Sequence, residues 1–228
     1  MWIITLMAKK IKTLLVEYAP REKASRTRQL RNHFTELIRP HTVLKKINLN
    51  RTVPDLLTPK MVRAYYKRNY AGKTLTKAEQ KLWTRNDKFR DQLLKTDVLI
   101  LSTPLYNFGL PAVVKAWIDA VMQRGYVYEI DERGHVPKLR HLQVCIVYTA
   151  GIMYDQINEN EHWNGLNAET ARLFEYMGAK EVRVVHIEGI DMLPQTNIDY
   201  RRHYVAHAKF NRLARDWYGV EHNLKIYE

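Results

Sequence analysis

The segment 97–102, DVLILS, constrains the fold more than any other: four consecutive branched apolar residues leave a strand without a polar face, so both faces must be covered. Strands of this kind lie inside parallel sheets clothed by helices on two sides, because parallel neighbours are joined by helical crossovers. The sequence supplies the remaining parts. Residues 11–16 (IKTLLV), 142–148 (LQVCIVY) and 182–187 (VRVVHI) are further β-branched and leucine-rich runs, and 43–49 (VLKKINL) alternates apolar with polar, as an edge strand does. Helical patterns separate them. Leu30, Phe34, Leu37 and Ile38 follow the first run at helical spacing, Thr58-Pro59 and Thr76 look like caps for helices over 61–70 and 77–95, and Val114, Trp117, Ile118, Val121 and Met122 keep one apolar face after Pro111. Leu166, Thr170, Leu173, Phe174 and Met177 repeat that face before Gly178, a C-terminal stop. The alternation predicts an α/β fold, a doubly wound five-stranded parallel sheet with helices on both faces. Residues 1–228 read as one domain, with 1–9 as an N-terminal extension and 193–228 as a helical C-terminal segment.

Ligands of such sheets sit beyond the carboxyl ends of the strands, so chemistry is sought there. The first strand leads into a segment, 17–27, where Ser25 and Thr27 precede a helix amid Arg21, Lys23, Arg26 and Arg28. A helix N-terminus offers unsatisfied N–H donors and the positive end of a dipole to a phosphate, although Ser25 is equally what a plain helix cap would be. Neither G-x-G-x-x-G nor a Walker lysine motif stands at this turn, which argues against a dinucleotide site or a P-loop. The central strand ends in Pro104-Leu105-Tyr106-Asn107-Phe108-Gly109-Leu110-Pro111. Two prolines stiffen this turn, and its aromatic, amide and aromatic groups suit a flat heteroaromatic ring, unless Tyr106 and Phe108 simply pack into the core.

These residues carry a resemblance. Residues 104–128, PLYNFGLPAVVKAWIDAVMQRGYVY, are similar to the flavin-binding segment of the FMN-dependent NADH-azoreductases and, less closely, to the flavodoxin-like NAD(P)H quinone oxidoreductases. The likeness extends in diluted form over about residues 12–192. It implies a flavodoxin-like fold and FMN as cofactor, with NADH or NADPH as donor and a quinone or azo compound as acceptor. It places a phosphate loop on Ser25, Arg26 and Thr27, the isoalloxazine ring among Pro104, Leu105, Tyr106, Asn107 and Phe108, and the ring's pyrimidine edge at Tyr148, Thr149, Ala150 and Gly151. The chain departs from the family pattern at Tyr18, where a serine is usual, and at Tyr148 and Ala150, where serine and glycine are usual. By the same likeness donor and acceptor alternate in one pocket with ping-pong kinetics, a second subunit completes that pocket in a homodimer, and Tyr126, Tyr128 and residues 129–135 are lid candidates. No side chain of the protein is expected to be a nucleophile, since the flavin carries the reactive atom.

Other features receive plainer readings. His203 and His207 are four residues apart but no third ligand accompanies them, so no metal is expected. Cys145 lies inside a buried strand and reads as packing, and a lone cysteine allows no internal disulfide, which points to a reducing cytoplasm. The apolar opening 1–8 is too short to span a bilayer. Residues 158–164 follow the last cofactor segment and read as a solvated loop, unless His162 or Trp163 touches substrate. Charge is uneven: the first 100 residues hold 23 Lys+Arg against 8 Asp+Glu, and the remaining 128 hold 14 against 16. A flavodoxin-like regulatory or nucleic-acid-binding module without turnover is the rival reading for that basic half, but no helix-turn-helix, zinc finger or RNA-binding aromatic signature supports it.

Overall fold

A computed structural model describes residues 10–153, 165–191 and 197–220. Five parallel strands form one sheet: β1 (Ile11–Glu17), β2 (Thr42–Asn48), β3 (Val98–Pro104), β6 (Gln143–Thr149) and β7 (Glu181–Ile187), in the order β2-β1-β3-β6-β7. Between β3 and β6 lies a separate antiparallel hairpin, β4 (Tyr128–Asp131) and β5 (Gly134–Pro137). This hairpin is absent from the sequence reading because each arm is four residues long and too short to show a period. Six helices complete the described chain: α1 (Arg26–Ile38), α2 (Pro59–Asn69), α3 (Lys77–Leu94), α4 (Ala112–Val121), α5 (Gly165–Met177) and α6 (Asn197–Tyr218).

Strand alternation divides the core between two layers. Leu14, Val16, Leu99, Leu101, Val144 and Ile146 face Phe89 and Leu93 of α3, Trp117 and Ile118 of α4, and Phe174 and Met177 of α5. Leu15, Ile100, Cys145 and Val147 face the opposite way, onto Leu30 and Phe34 of α1 and Phe210 and Ala214 of α6. Every residue of 98–101 is fully buried, as an unbroken apolar run between two helical layers requires. Cys145 is enclosed in this core, and burial raises its thiol well above the ordinary value.

Local chemistry sets where the helices begin and end. Thr76 accepts the N–H of Glu79 while the Glu79 carboxylate accepts the N–H of Thr76, a reciprocal cap for α3. Thr58 caps α2, with Pro59 at its first position. α5 stops at Gly178, whose φ of 98° lies in the left-handed region and whose missing Cβ would strike Pro137. The carboxyl ends of β1, β3 and β6 lie side by side, with the N-terminus of α1 above them.

Candidate functional site

Three turns leave those strand ends and enclose a crevice of about 230 Å³. In the first turn, the Asn50 side chain accepts from Ala19 N–H at 3.2 Å and donates to Ala19 C=O at 2.7 Å, which fixes the exit from β1. A short 3₁₀ turn, Glu22–Ala24, then delivers Ser25, whose hydroxyl accepts the N–H of Arg28 at 3.3 Å. Ser25 is therefore the cap of α1, and it also lines the crevice. The Thr27 hydroxyl pairs with that of Thr149 at 2.6 Å and so ties α1 to the end of β6. Arg21 and Arg26 are exposed, border the crevice and make no ion pair with any described residue. Two uncompensated guanidinium groups beside a helix N-terminus make this wall electropositive.

Beneath it is a buried ionic cluster. Glu17, fully enclosed at the end of β1, pairs with Arg28 at 2.8 Å, with Arg31, and with Lys46 of β2 at 2.9 Å. Burial brings the Arg31 guanidinium down to about 10 although Glu36 opposes it. Burial first, then the charges of Arg31, Arg28 and Arg51, bring the Lys46 ammonium to about 8, a drop that its contact with Glu17 does not offset. One carboxylate shared among three cations locks β1, β2 and α1 together.

The second turn is strained. Asn107 and Phe108 take φ values of 48° and 62°, and the loop closes through Tyr106 N–H to Gly109 C=O at 3.1 Å and Gly109 N–H to Tyr106 C=O at 2.9 Å. Two successive left-handed residues inside a closed four-residue loop are the signature of a type I′ turn, and a bulky aromatic at the second position is costly. The strain displays two rings: Tyr106 is 44% exposed and Phe108 47% exposed. Tyr18 meets Tyr106 edge to face, with ring centroids 6.4 Å apart. Burial raises the Tyr106 hydroxyl above its ordinary value, with Tyr18 adding to the rise and Arg21 opposing it.

The third turn follows β6. Ile190 and Asp191, beyond β7, fold back so that their N–H groups donate to Ala150 and Gly151 C=O, each at 3.1 Å. A side chain at Gly151 would run into the Asp191 carboxylate. Ala150 spends its own N–H on Ile187 C=O at 3.0 Å.

Of the residues singled out from sequence, Ser25, Arg26, Thr27, Pro104, Leu105, Tyr106, Thr149 and Gly151 line one crevice. Asn107 and Phe108 stand at the tip of the turn beside it, outside its lining. Tyr148 and Ala150 lie behind it. The Tyr148 ring is buried, stacked on His186 at 4.8 Å, and its hydroxyl donates to Glu188 at 3.2 Å, so no side chain at 148 or 150 faces the crevice. The structure adds Pro20, Arg21, Ile190 and Asp191. Arg21 was legible as charge, whereas Ile190 and Asp191 carry no motif and are brought in by β7 lying beside β6. Tyr126, Tyr128 and residues 129–135 do not line the crevice. Tyr126 lies under Arg90, 3.7 Å from ring centroid to guanidinium carbon, and Tyr128 borders a second cavity of about 310 Å³ with Tyr65, Trp83 and Tyr176. Residues 158–164 fall outside the described residues. Among the described residues no group of three or more His, Cys, Asp or Glu could hold a metal ion, and His207 is stacked on His33 at 3.9 Å.

Comparison with known proteins accords with this architecture. A family model described as "Flavodoxin-like fold" matches residues 11–209. An FMN-dependent NADH:quinone oxidoreductase of Azospirillum brasilense is 30% identical over 190 residues, covering 81% of this chain and 89% of that protein. Among solved structures, an azoreductase from Bacillus anthracis str. Sterne superposes with a TM-score of 0.79 at 21% identity, over 91% of this chain and 100% of the other. An FMN-dependent NADH-azoreductase from Bacillus anthracis str. Ames Ancestor, solved in complex with FMN, gives 0.77 at 22%, over 90% and 99%. At these identities the structural likeness speaks for the fold.

Proposed function

The chain belongs to the flavodoxin-like family of FMN-dependent NADH:quinone oxidoreductases, and from that premise we propose that it is itself an FMN oxidoreductase, passing electrons from NADH or NADPH to quinones or azo compounds. The observation that carries this reading is the position of the crevice. Between β1 and β3 the winding of the sheet reverses, and there, at their carboxyl ends, a helix N-terminus and two arginines that pair with no described acid meet a rigid turn with exposed rings.

The residues present fit FMN. The N–H groups at the start of α1, with Ser25, Arg21 and Arg26, are donors and charge for a phosphate. About 230 Å³ accommodates that phosphate and the sugar-alcohol arm but not three fused rings, so the ring belongs at the rim, against Leu105, Tyr106, Asn107 and Phe108. Thr27 contributes by holding α1 in place, because its hydroxyl is engaged with Thr149. Gly151 leaves backbone room where a larger residue would collide with Asp191. Asp191 is the one acidic group of this lining, and Arg21 and Arg26 outweigh it.

Bound FMN supplies hydride acceptance and two-electron release, which lets donor and acceptor use one pocket in turn. The chain's own work is to hold the ring edge and keep water from one face. Ala150 commits its N–H to Ile187, which leaves Gly151 as the donor of that loop bordering the crevice. Tyr106 and Phe108, half exposed at the rim, are apolar surface that a second subunit would cover, which supports a homodimer. We place its work in the cytoplasm, in keeping with the lone buried Cys145. The test is titration of cofactor-free protein with FMN and with riboflavin, followed by NADH oxidation in the presence of menadione. FMN is expected to bind more tightly than riboflavin and to restore turnover; failure to retain FMN overturns the proposal.

A further inference from the structure

The basic half of the sequence is only partly used at the crevice. Part of the remainder lies on α3, where Lys77, Lys81 and Lys88 are exposed and, with the exposed Lys95 that caps the helix C-terminus, fall within about 40° of one another around the helix axis. At about 1.5 Å per residue they make a ridge about 27 Å long. Its C-terminal end opens on a cavity of about 360 Å³ at the edge strand, where Lys12 of β1 and Lys45 of β2 join Lys88 and Lys95, with Asp91 as the one acid among four lysines. None of these six lysines pairs with a described acid, because nearby carboxylates are engaged by other cations. Lys67 holds Glu79 at 2.7 Å, Arg68 and Arg90 hold Asp87 at 2.8 and 2.7 Å, and Arg90 holds Asp91 at 2.7 Å. Gathering unpaired ammonium groups opposes folding through mutual repulsion, so fold stability does not explain the arrangement.

Exposed aliphatic side chains lie at the cavity and in the loop that Arg85 and Asn86 of α3 hold. Val43, on the cavity wall, is 48% exposed. Val53, whose carbonyl accepts from Arg85 of α3 at 3.0 Å, is 45% exposed, and Leu56, farther along that loop, is 70% exposed.

We propose that this face docks on an anionic phospholipid surface, with the lysines at headgroup phosphates and Val43, Val53 and Leu56 entering the interface. The docking proposed is peripheral, and among the described residues no helix is long and apolar enough to cross a membrane. Lipid is favoured over nucleic acid because the exposed aliphatics have no use against a phosphodiester backbone. Lysines are compact point charges suited to a laterally mobile anionic surface, and the exposed guanidinium beside the ridge, Arg85, is committed to Asp55 and the Val53 carbonyl. The purpose of docking rests on the quinone reading above: long-chain quinones dissolve in bilayers, and a docked reductase meets them there. The charge argument stands without it.

The experiment is sedimentation of the full-length, FMN-loaded protein with vesicles of phosphatidylcholine, alone or mixed with phosphatidylglycerol. Association is expected with the mixed vesicles only, weakening as salt rises. At about fivefold per charge, the double variant Lys88→Gln/Lys95→Gln loses about 25-fold in partitioning. Leu56→Ser weakens it at unchanged charge. Both variants keep wild-type NADH:menadione turnover in solution, since neither touches the crevice. Loss of turnover in the wild type with vesicle binding intact would remove the oxidoreductase reading and leave docking standing. Equal partitioning onto neutral vesicles, undiminished binding by the lysine variant, or salt-sensitive retention on duplex DNA with none on the mixed vesicles overturns docking.

Discussion

The turn at Asn107-Phe108 offers a way to separate backbone strain from side-chain function at one position. Phe108 sits at φ 62°, where an L-residue with a Cβ carries a cost of about 1–2 kcal/mol that glycine does not. Phe108→Ala keeps that cost and surrenders the buried half of the ring, about 1 kcal/mol from the usual 2–3 kcal/mol for a whole phenylalanine. Phe108→Gly surrenders the same contact but relieves the strain, less about 0.5–1 kcal/mol for the greater freedom of glycine in the unfolded chain. The glycine variant should therefore be more stable than the alanine variant by about 0.5–1 kcal/mol. For a protein of this size that is a gap of about 1–4 °C in midpoint. Thermal unfolding of both cofactor-free proteins, followed by circular dichroism, measures it. In parallel, both variants should lose flavin retention and quinone affinity to the same degree, because each removes the exposed ring. Equal midpoints, or an alanine variant that outlasts the glycine variant, would show that position 108 is not strained and refute the reasoning.

Other outcomes test the remaining parts of the site. Glu17→Gln should cost about 3–5 kcal/mol in urea unfolding, because it strands three cations around a buried neutral group; a loss below about 1 kcal/mol would mean that water reaches the cluster. Arg26→Ala, alone and combined with Arg21→Ala, should weaken FMN more than riboflavin in equilibrium titration, and equal losses for the two ligands would place both arginines away from the phosphate. His207 is held down at about 4, first by burial and then by the charges of His33 and His203. The unfolded chain takes up that proton near its ordinary value of 6.5, so stability should fall as pH drops from about 6.5 toward 4, by about 1–2 kcal/mol once solvent screening is allowed for. His207→Gln should flatten that slope in chemical denaturation across this range, and an unchanged slope would assign the loss to other groups.

The sheet was legible because its signal is periodic and cumulative: 98–101 could be buried only between two helical layers, and the caps Thr58 and Thr76 state where helices begin. Val43–Leu49 read as an edge, and β2 pairs with β1 alone in the sheet. The hairpin at 128–137 was lost because two four-residue arms show no period. At the site, the residues contributed by the exits of β1 and β3 were readable from helix-start chemistry and from a stiff aromatic turn. Ile190 and Asp191 were not, since their place depends on which strand lies next to β6. Tyr148 marks a different limit. Its likeness to a family position put it near the ring, yet strand alternation turns its side chain toward the opposite layer from Thr149 and onto His186.

The knot of Glu17 with Arg28, Arg31 and Lys46 has a consequence beyond its own energy. It joins one of the sheet's two edge strands, β2, to the helix that would grip the phosphate, so local fraying of that margin loosens the grip before the central strands part. On mild heating or in dilute denaturant the yellow colour should therefore leave the protein while most of its helical signal persists. Holding capacity for the prosthetic group is thereby tied to an edge of the fold rather than to its centre.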